Sequence, residues 1–152
     1  MKKFLVLALA AISFCAVAAH AQVGPTTTVV PFNGQNNPCA NPSIVKSHLL
    51  VNLTAGTAQL VAPVTGKKIH VCSLVATFAG TTPALTFLYG TQTTTACDTG
   101  AANLSGTFLP TSGTFVNMTA AEQGAIVLTP ASQQLCALTA GSVQGVLLYV
   151  QM

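Results

Sequence analysis

The chain has 152 residues, of which 51% are hydrophobic and only 5% charged, against about 25% charged in an average soluble domain. Its 5 basic residues are all lysines (Lys2, Lys3, Lys46, Lys67 and Lys68) and stand against 2 acidic ones. This argues against an ordinary cytosolic enzyme and leaves no basic patch of the kind that supplies most nucleic-acid affinity, while the length suits one folded domain.

Residues 1–3 carry two of the lysines, residues 4–17 are almost continuously apolar, and Ala19-His20-Ala21 puts small residues at both positions that signal peptidase reads. That three-part pattern predicts a signal helix over residues 1–21, cleaved between Ala21 and Gln22. The apolar run is shorter than the about 20 residues of a spanning helix. Phe14 is too bulky to precede the cysteine of a bacterial lipid-attachment site at Cys15. Cleavage leaves Gln22–Met152, with Lys46, Lys67 and Lys68 against Asp98 and Glu122, a net charge of +1. No later run is long enough to span a membrane. The mature chain is expected to be secreted, periplasmic or on the cell surface, and the short signal with its Lys-Lys start points to a bacterial host.

Residues 22–42 contain Pro25, Pro31, Pro38 and Pro42. Proline fixes φ and removes a ladder donor, so this segment reads as an N-terminal arm with one short strand at 26–31. The folded domain is expected over 43–152. Val45, Ser47, Leu49, Val51 and Leu53 share one face, and Lys46, His48, Leu50 and Asn52 the other, the alternation of a half-buried strand. Ala55-Gly56 turns the chain into a strand at 57–62. The longest candidate strand is 67–79, after which Gly80–Pro83 supplies a turn and 84–90 returns as a hairpin partner.

Beyond the polar loop 90–100, strands are expected at 103–109, 114–118, 125–128, 133–138 and 143–151, with a short helix-like stretch at 119–123. Strands spaced by about 8–12 residues and separated by Gly and Pro predict an all-β sandwich or barrel. Leu53-Thr-Ala-Gly-Thr-Ala-Gln-Leu-Val61 is similar to Leu138-Thr-Ala-Gly-Ser-Val-Gln-Gly-Val146, with Ala-Gly at a strand-to-strand turn in each. A duplicated hairpin of that kind suits a two-sheet jelly roll built on Greek keys.

Four cysteines remain after cleavage: Cys39, Cys72, Cys97 and Cys136. An even number in an exported chain predicts two disulfides. No two of them have the close spacing of a structural zinc site. Three connectivities are open. Cys72–Cys97, on segments that flank the expected hairpin, is favoured, with Cys39–Cys136 tying the arm to a late strand.

Chemistry-bearing side chains are few. Asp98 and Glu122 both fall in turn-like segments and read as solvated loop residues, and His48 and His70 read as ordinary strand histidines. No nucleophile elbow, zinc-binding His-Glu-x-x-His, calcium loop or phosphate cradle is present. No catalytic residue, cofactor or metal is expected, and the chain is read as a non-enzyme.

Ile69-His-Val-Cys-Ser73, Tyr89-Gly-Thr91, Cys97-Asp-Thr-Gly100, Leu135-Cys136 and Tyr149-Val-Gln151 resemble the small Cys-containing β proteins encoded by bacteria and by their phages or prophages. The resemblance implies a jelly-roll-like fold and a virion- or tail-associated role, from which this chain departs in carrying an export signal. A looser likeness is to chaperone–usher pilin subunits, although Tyr149 stands three residues from the end rather than next to last. Together these features predict an all-β, two-sheet sandwich of jelly-roll or related Greek-key type. Its expected role is structural or surface-interacting, with a protein or surface partner or with itself. The alternatives are a fimbrial subunit and a periplasmic or secreted enzyme or inhibitor.

Overall fold

The computed structural model describes residues 37–120 and 124–152, all within the unit Pro31–Met152. The expected signal helix with its cleavage site at Ala21 and Gln22, the strand at 26–31, and Glu122 lie outside the described residues. Within them the chain is all-β: β1 (Ser47–Leu53), β2 (Gly56–Val61), β3 (Ile69–Thr91), β4 (Thr99–Asn103), β5 (Phe115–Thr119), β6 (Val127–Leu128) and β7 (Gln134–Gln151). All pairings are antiparallel. β7 lies between β3 and the β1–β2 edge, while β4, β5 and β6 pair with the other side of β3.

The β3–β7 ladder runs from Ile69↔Gln151 to Gly90↔Gln134 and organises the rest. Period-two alternation decides what it buries. Cys72 is an extra residue between Val71↔Tyr149 and Ser73↔Leu148, a bulge that resets the period. Ile69 and Val71 are therefore buried before it, and Leu74, Ala76 and Phe78 after it. In β1 the same logic buries Val51 and Leu53 and leaves Leu50 79% exposed, as the alternation predicts.

A second irregularity sits halfway along. Ala79 pairs with Ser142 and Ala84 with Ala140, so residues 80–83 oppose Gly141 alone, and both strands turn a corner. Gly80 has φ +128° and Gly141 φ +87°. A Cβ on Gly141 would run into the Ala79 carbonyl oxygen, and one on Gly80 would lie 3.1 Å from the Gly141 Cα. Only glycine meets both demands. The opposite edge breaks at the same level, where Leu53 pairs with Val143 and Gly56 with Thr139. There the Thr139 hydroxyl donates to the Thr54 carbonyl at 2.6 Å.

The corner divides the sheet into two halves. One holds β1, β5, β6 and the adjoining parts of β3 and β7; the other holds β2, β4 and the remainder. Both halves feed a single core, to which Phe78, Val143 and Leu147 contribute from the first and Leu85, Phe87 and Leu135 from the second.

Two expected hairpins give way to continuous strands. Residues 67–79 and 84–90 pair with the same partner, so the chain does not reverse at residues 80–83. Likewise 133–138 and 143–151 are one strand, β7. Gly and Pro mark corners here as readily as reversals. The two similar segments lie opposite each other across the corner, with Leu53 against Val143 and Thr57 against Leu138. The expected strand at 103–109 shrinks because the N–H groups of Leu104 and Ser105 both converge on the Phe87 carbonyl, at 2.8 and 3.4 Å. Only a bridge between Leu85 and Phe108 remains.

The disulfides are Cys39–Cys72 and Cys97–Cys136, with Cα–Cα distances of 5.1 and 6.4 Å. This corrects the favoured pairing of Cys72 with Cys97 and of Cys39 with Cys136, which rested on the hairpin at residues 80–83. Without that reversal, Cys72 sits in the first half of the sheet and Cys97 lies beside Gly90 in the second. Cys39–Cys72 pins the segment entering β1 to the β3 bulge. Cys97–Cys136, both buried, clamps the loop after β3 over Leu88. Their sequence separations of 33 and 39 residues correspond to about 4 kcal/mol each from restricting the unfolded chain. These are the bonds of an oxidising compartment.

The corner yields a comparison of two glycines with positive φ. Gly113 (φ +80°) has open space where a Cβ would go, so Gly113→Ala is expected to cost about 1–2 kcal/mol for the backbone conformation alone. Gly141→Ala adds the clash with Ala79 and is expected to cost clearly more, read as a larger drop in denaturant midpoint at unchanged slope.

Candidate functional site

Register places defined side chains on the solvent side of the first half-sheet. Across its centre run Leu50, Val146, Val75 and Asn117. The flanking rows are His48, Leu148, Ser73 and Thr119 on one side, and Asn52, Gln144, Thr77 and Phe115 on the other. No carboxylate, lysine or arginine stands among these positions. Leu50, Val146 and Val75 in the middle row form an apolar strip, in which Leu50 is 79% and Val146 39% exposed. Phe115, 65% exposed, extends the apolar surface at one corner. At the other end a cleft of about 360 Å³ opens beside the Cys39–Cys72 bridge, bounded by Asn37, Ser73, Thr119 and Leu148. A second, apolar hollow of about 240 Å³ lies between Phe78, Phe108, Leu109 and Met118. Leu109 stands 76% exposed at its rim.

The titratable groups do not converge on these features. His48 stands alone among titratable groups in one flanking row of the outer face, opposite Leu148. His70, half-buried, is the second residue of β3, opposite Val150 and Leu128. Burial, and then the charge of Lys68, push His70 below the ordinary histidine range. Asp98 lies beyond the far end of β3. All four cysteines expected to bond are in disulfides, and no group of three or more metal-ligating side chains occurs among the described residues.

Asp98 has a definite task. One carboxylate oxygen accepts from the N–H of Thr94 at 2.7 Å and of Thr95 at 2.8 Å, and from the Thr94 hydroxyl at 2.9 Å. The other accepts from the N–H of Thr93 at 2.8 Å. Backbone donation from Thr95, Thr93 and Thr94 holds the carboxyl far below the usual carboxylate range, because each bond favours the ionised form. The exposed position expected for Asp98 is correct, but the residue is a loop-closing acceptor rather than a merely solvated side chain. The consecutive threonines at 93–95 ahead of an aspartate are the sequence signal for it.

Gln134 carries no such signal. Its buried amide, with the oxygen turned to the loop, accepts from the N–H of Cys97 at 2.7 Å and of Gln92 at 3.2 Å, and its nitrogen lies 2.6 Å from the Gln59 amide. Gln134 thus links β2, β7 and the disulfide loop. Among the described residues no helix is long and apolar enough to cross a membrane.

Two outcomes follow from these groups. Asp98→Asn should strip hydrogen-exchange protection from the amides of Thr93, Thr94 and Thr95 while leaving those of β3 and β7 unchanged. For His70, the folded state holds fewer protons than the unfolded one. The linked stability is therefore complete above the unfolded pKa near 6.5 and lost as pH falls below it. The thermal midpoint should drop from about pH 7.5 to about pH 5.5, and drop less in His70→Asn.

No protein-family model matches the chain, and neither a curated protein nor a solved structure matches it.

Proposed function

We propose that the chain is an exported, non-enzymatic bacterial protein with a structural or surface-interaction role, related to the small β proteins of bacteria, phages and prophages that its motifs resemble. The observation that carries this reading is the uncharged outer face of the first half-sheet. Its apolar strip lies on a rigid, disulfide-braced scaffold, while the histidines and Asp98 are spread over separate elements. Surfaces of this kind bind through shape and apolar area and need no activated group. General acid–base catalysis, by contrast, needs a group held within about 2.6–3.2 Å of the proton it moves. The two halves of the sheet are taken as the layers of a sandwich of jelly-roll or related Greek-key type, supported by their shared core.

Expression in a bacterium with the native N-terminus, followed by fractionation and intact-mass analysis, tests the reading. The expected product begins at Gln22, contains no free thiol and is recovered from the envelope or the medium. Val75→Glu and Val146→Glu, which put charge into the apolar strip, should release envelope-bound protein without unfolding it. An intact 1–152 chain with all five cysteines as free thiols in the cytoplasm would contradict the reading. So would a hydrolytic activity abolished by His48→Asn or His70→Asn.

A further inference from the structure

We propose that β1 is an edge through which two copies of the chain join, pairing antiparallel about a two-fold axis at Leu50 to form one continuous sheet. This rests on the interaction reading above and names its partner as a second copy. β1 pairs with β7 on one side and with no strand on the other among the described residues. Natural edge strands are guarded by lysine, proline, bulges or shortness. β1 has none of these: its seven residues keep unbroken register with β7 and include no proline, glycine or formally charged side chain. Of the other edges, β5 is as free of guards but is five residues long against the seven of β1, and the remaining three are guarded. β2 carries an irregularity between Gln59 and Val61, β4 has Gly100 at φ +61°, and β6 is two residues long. The C-terminal strand β7 is paired on both sides.

The sequence of β1 is self-complementary about Leu50. An antiparallel pair centred there sets Leu49 against Val51 of the other copy on the core face, and His48 against Asn52 on the outer face. Leu50 meets its own copy on the outer face, covering a side chain that is 79% exposed. Placing the axis on a residue keeps both core faces on the same side of the joined sheet, because side chains alternate with period two. Charge fits as well. Lys46 falls opposite Thr54 of the other copy, so the two lysines sit at opposite ends of the seam, and each Nζ already donates to the Asn41 carbonyl at 3.1 Å. The contact is isologous and closes at two copies.

Two seven-residue strands cover less than a standard interface of about 1,600 Å², so the dimer should form with rising concentration. Sedimentation velocity on the exported, disulfide-intact protein is expected to show a monomer–dimer equilibrium. Leu50→Lys places two ammonium groups opposite each other on the axis and should weaken that equilibrium about tenfold or more. Leu109→Lys, at a comparably exposed leucine away from β1, should leave it unchanged. Leu50→Cys should give a disulfide-linked dimer on mild oxidation, since directly opposed residues have Cα atoms about 4.5–5.5 Å apart. Circular dichroism and unfolding curves confirm that each variant is folded. A wild-type protein monomeric up to about 1 mM, or a dimer that Leu50→Lys leaves intact, would overturn the proposal. Either result leaves the export and fractionation outcome standing, so the two readings fail separately.

Discussion

Almost everything in this protein hangs on one pairing, the antiparallel ladder between β3 and β7. It is long enough to turn a corner halfway, and the corner lets the two halves of one sheet share one core. Gly80 and Gly141 meet at that point with positive φ and no room for a side chain. Gly145 shows the same closeness further along, where a Cβ would run into the Val75 carbonyl oxygen. The Cys72 bulge is the other adjustment. Without that extra residue, Leu74, Ala76 and Phe78 would point to solvent.

The remaining structure is fastened to this ladder by bonds that need no charge. With so few ionisable side chains, ion pairs cannot contribute much, and exposed pairs contribute little in any case. The two disulfides take up that work, one at each half of the sheet. The buried Gln134 amide and the Asp98 carboxylate hold the loop between β3 and β4 in place. The same scarcity of charge that forces these devices leaves the outer face and the β1 edge without the lysines that usually keep sheets apart.

How much of this could be read in the sequence depends on range. β1 was legible because its apolar and polar residues alternate locally, and Val51, Leu53 and Leu50 lie as that alternation requires. The all-β class was legible from the spacing of strands and breakers. The corners were not. Gly80, Pro83 and Gly141 are the residues of tight turns, and only the partner strand distinguishes a turn from a bend. That single ambiguity misdirected the disulfide pairing, because Cys72 and Cys97 are neighbours only if the chain doubles back. The similarity of residues 53–61 and 138–146 was visible, but its meaning, two segments facing each other at the corner, needed the register. The apolar strip was invisible for the same reason: Leu50, Val146 and Val75 are far apart in sequence and adjacent only across three strands.

Whether β3 continues through residues 80–83 decides the fold, and disulfide mapping tests that most directly. Tryptic cleavage of the unreduced protein after Lys46 or Lys68 separates Cys39 from Cys72, chymotryptic cleavage after Phe78 or Tyr89 separates Cys72 from Cys97, and cleavage after Phe108 or Phe115 separates Cys97 from Cys136. Mass spectrometry should then find cross-linked peptides joining Cys39 to Cys72 and Cys97 to Cys136. A peptide joining Cys72 to Cys97 would mean that the chain reverses at Gly80, and would contradict the bent ladder on which the fold, the outer face and the β1 edge, unpaired among the described residues, all depend.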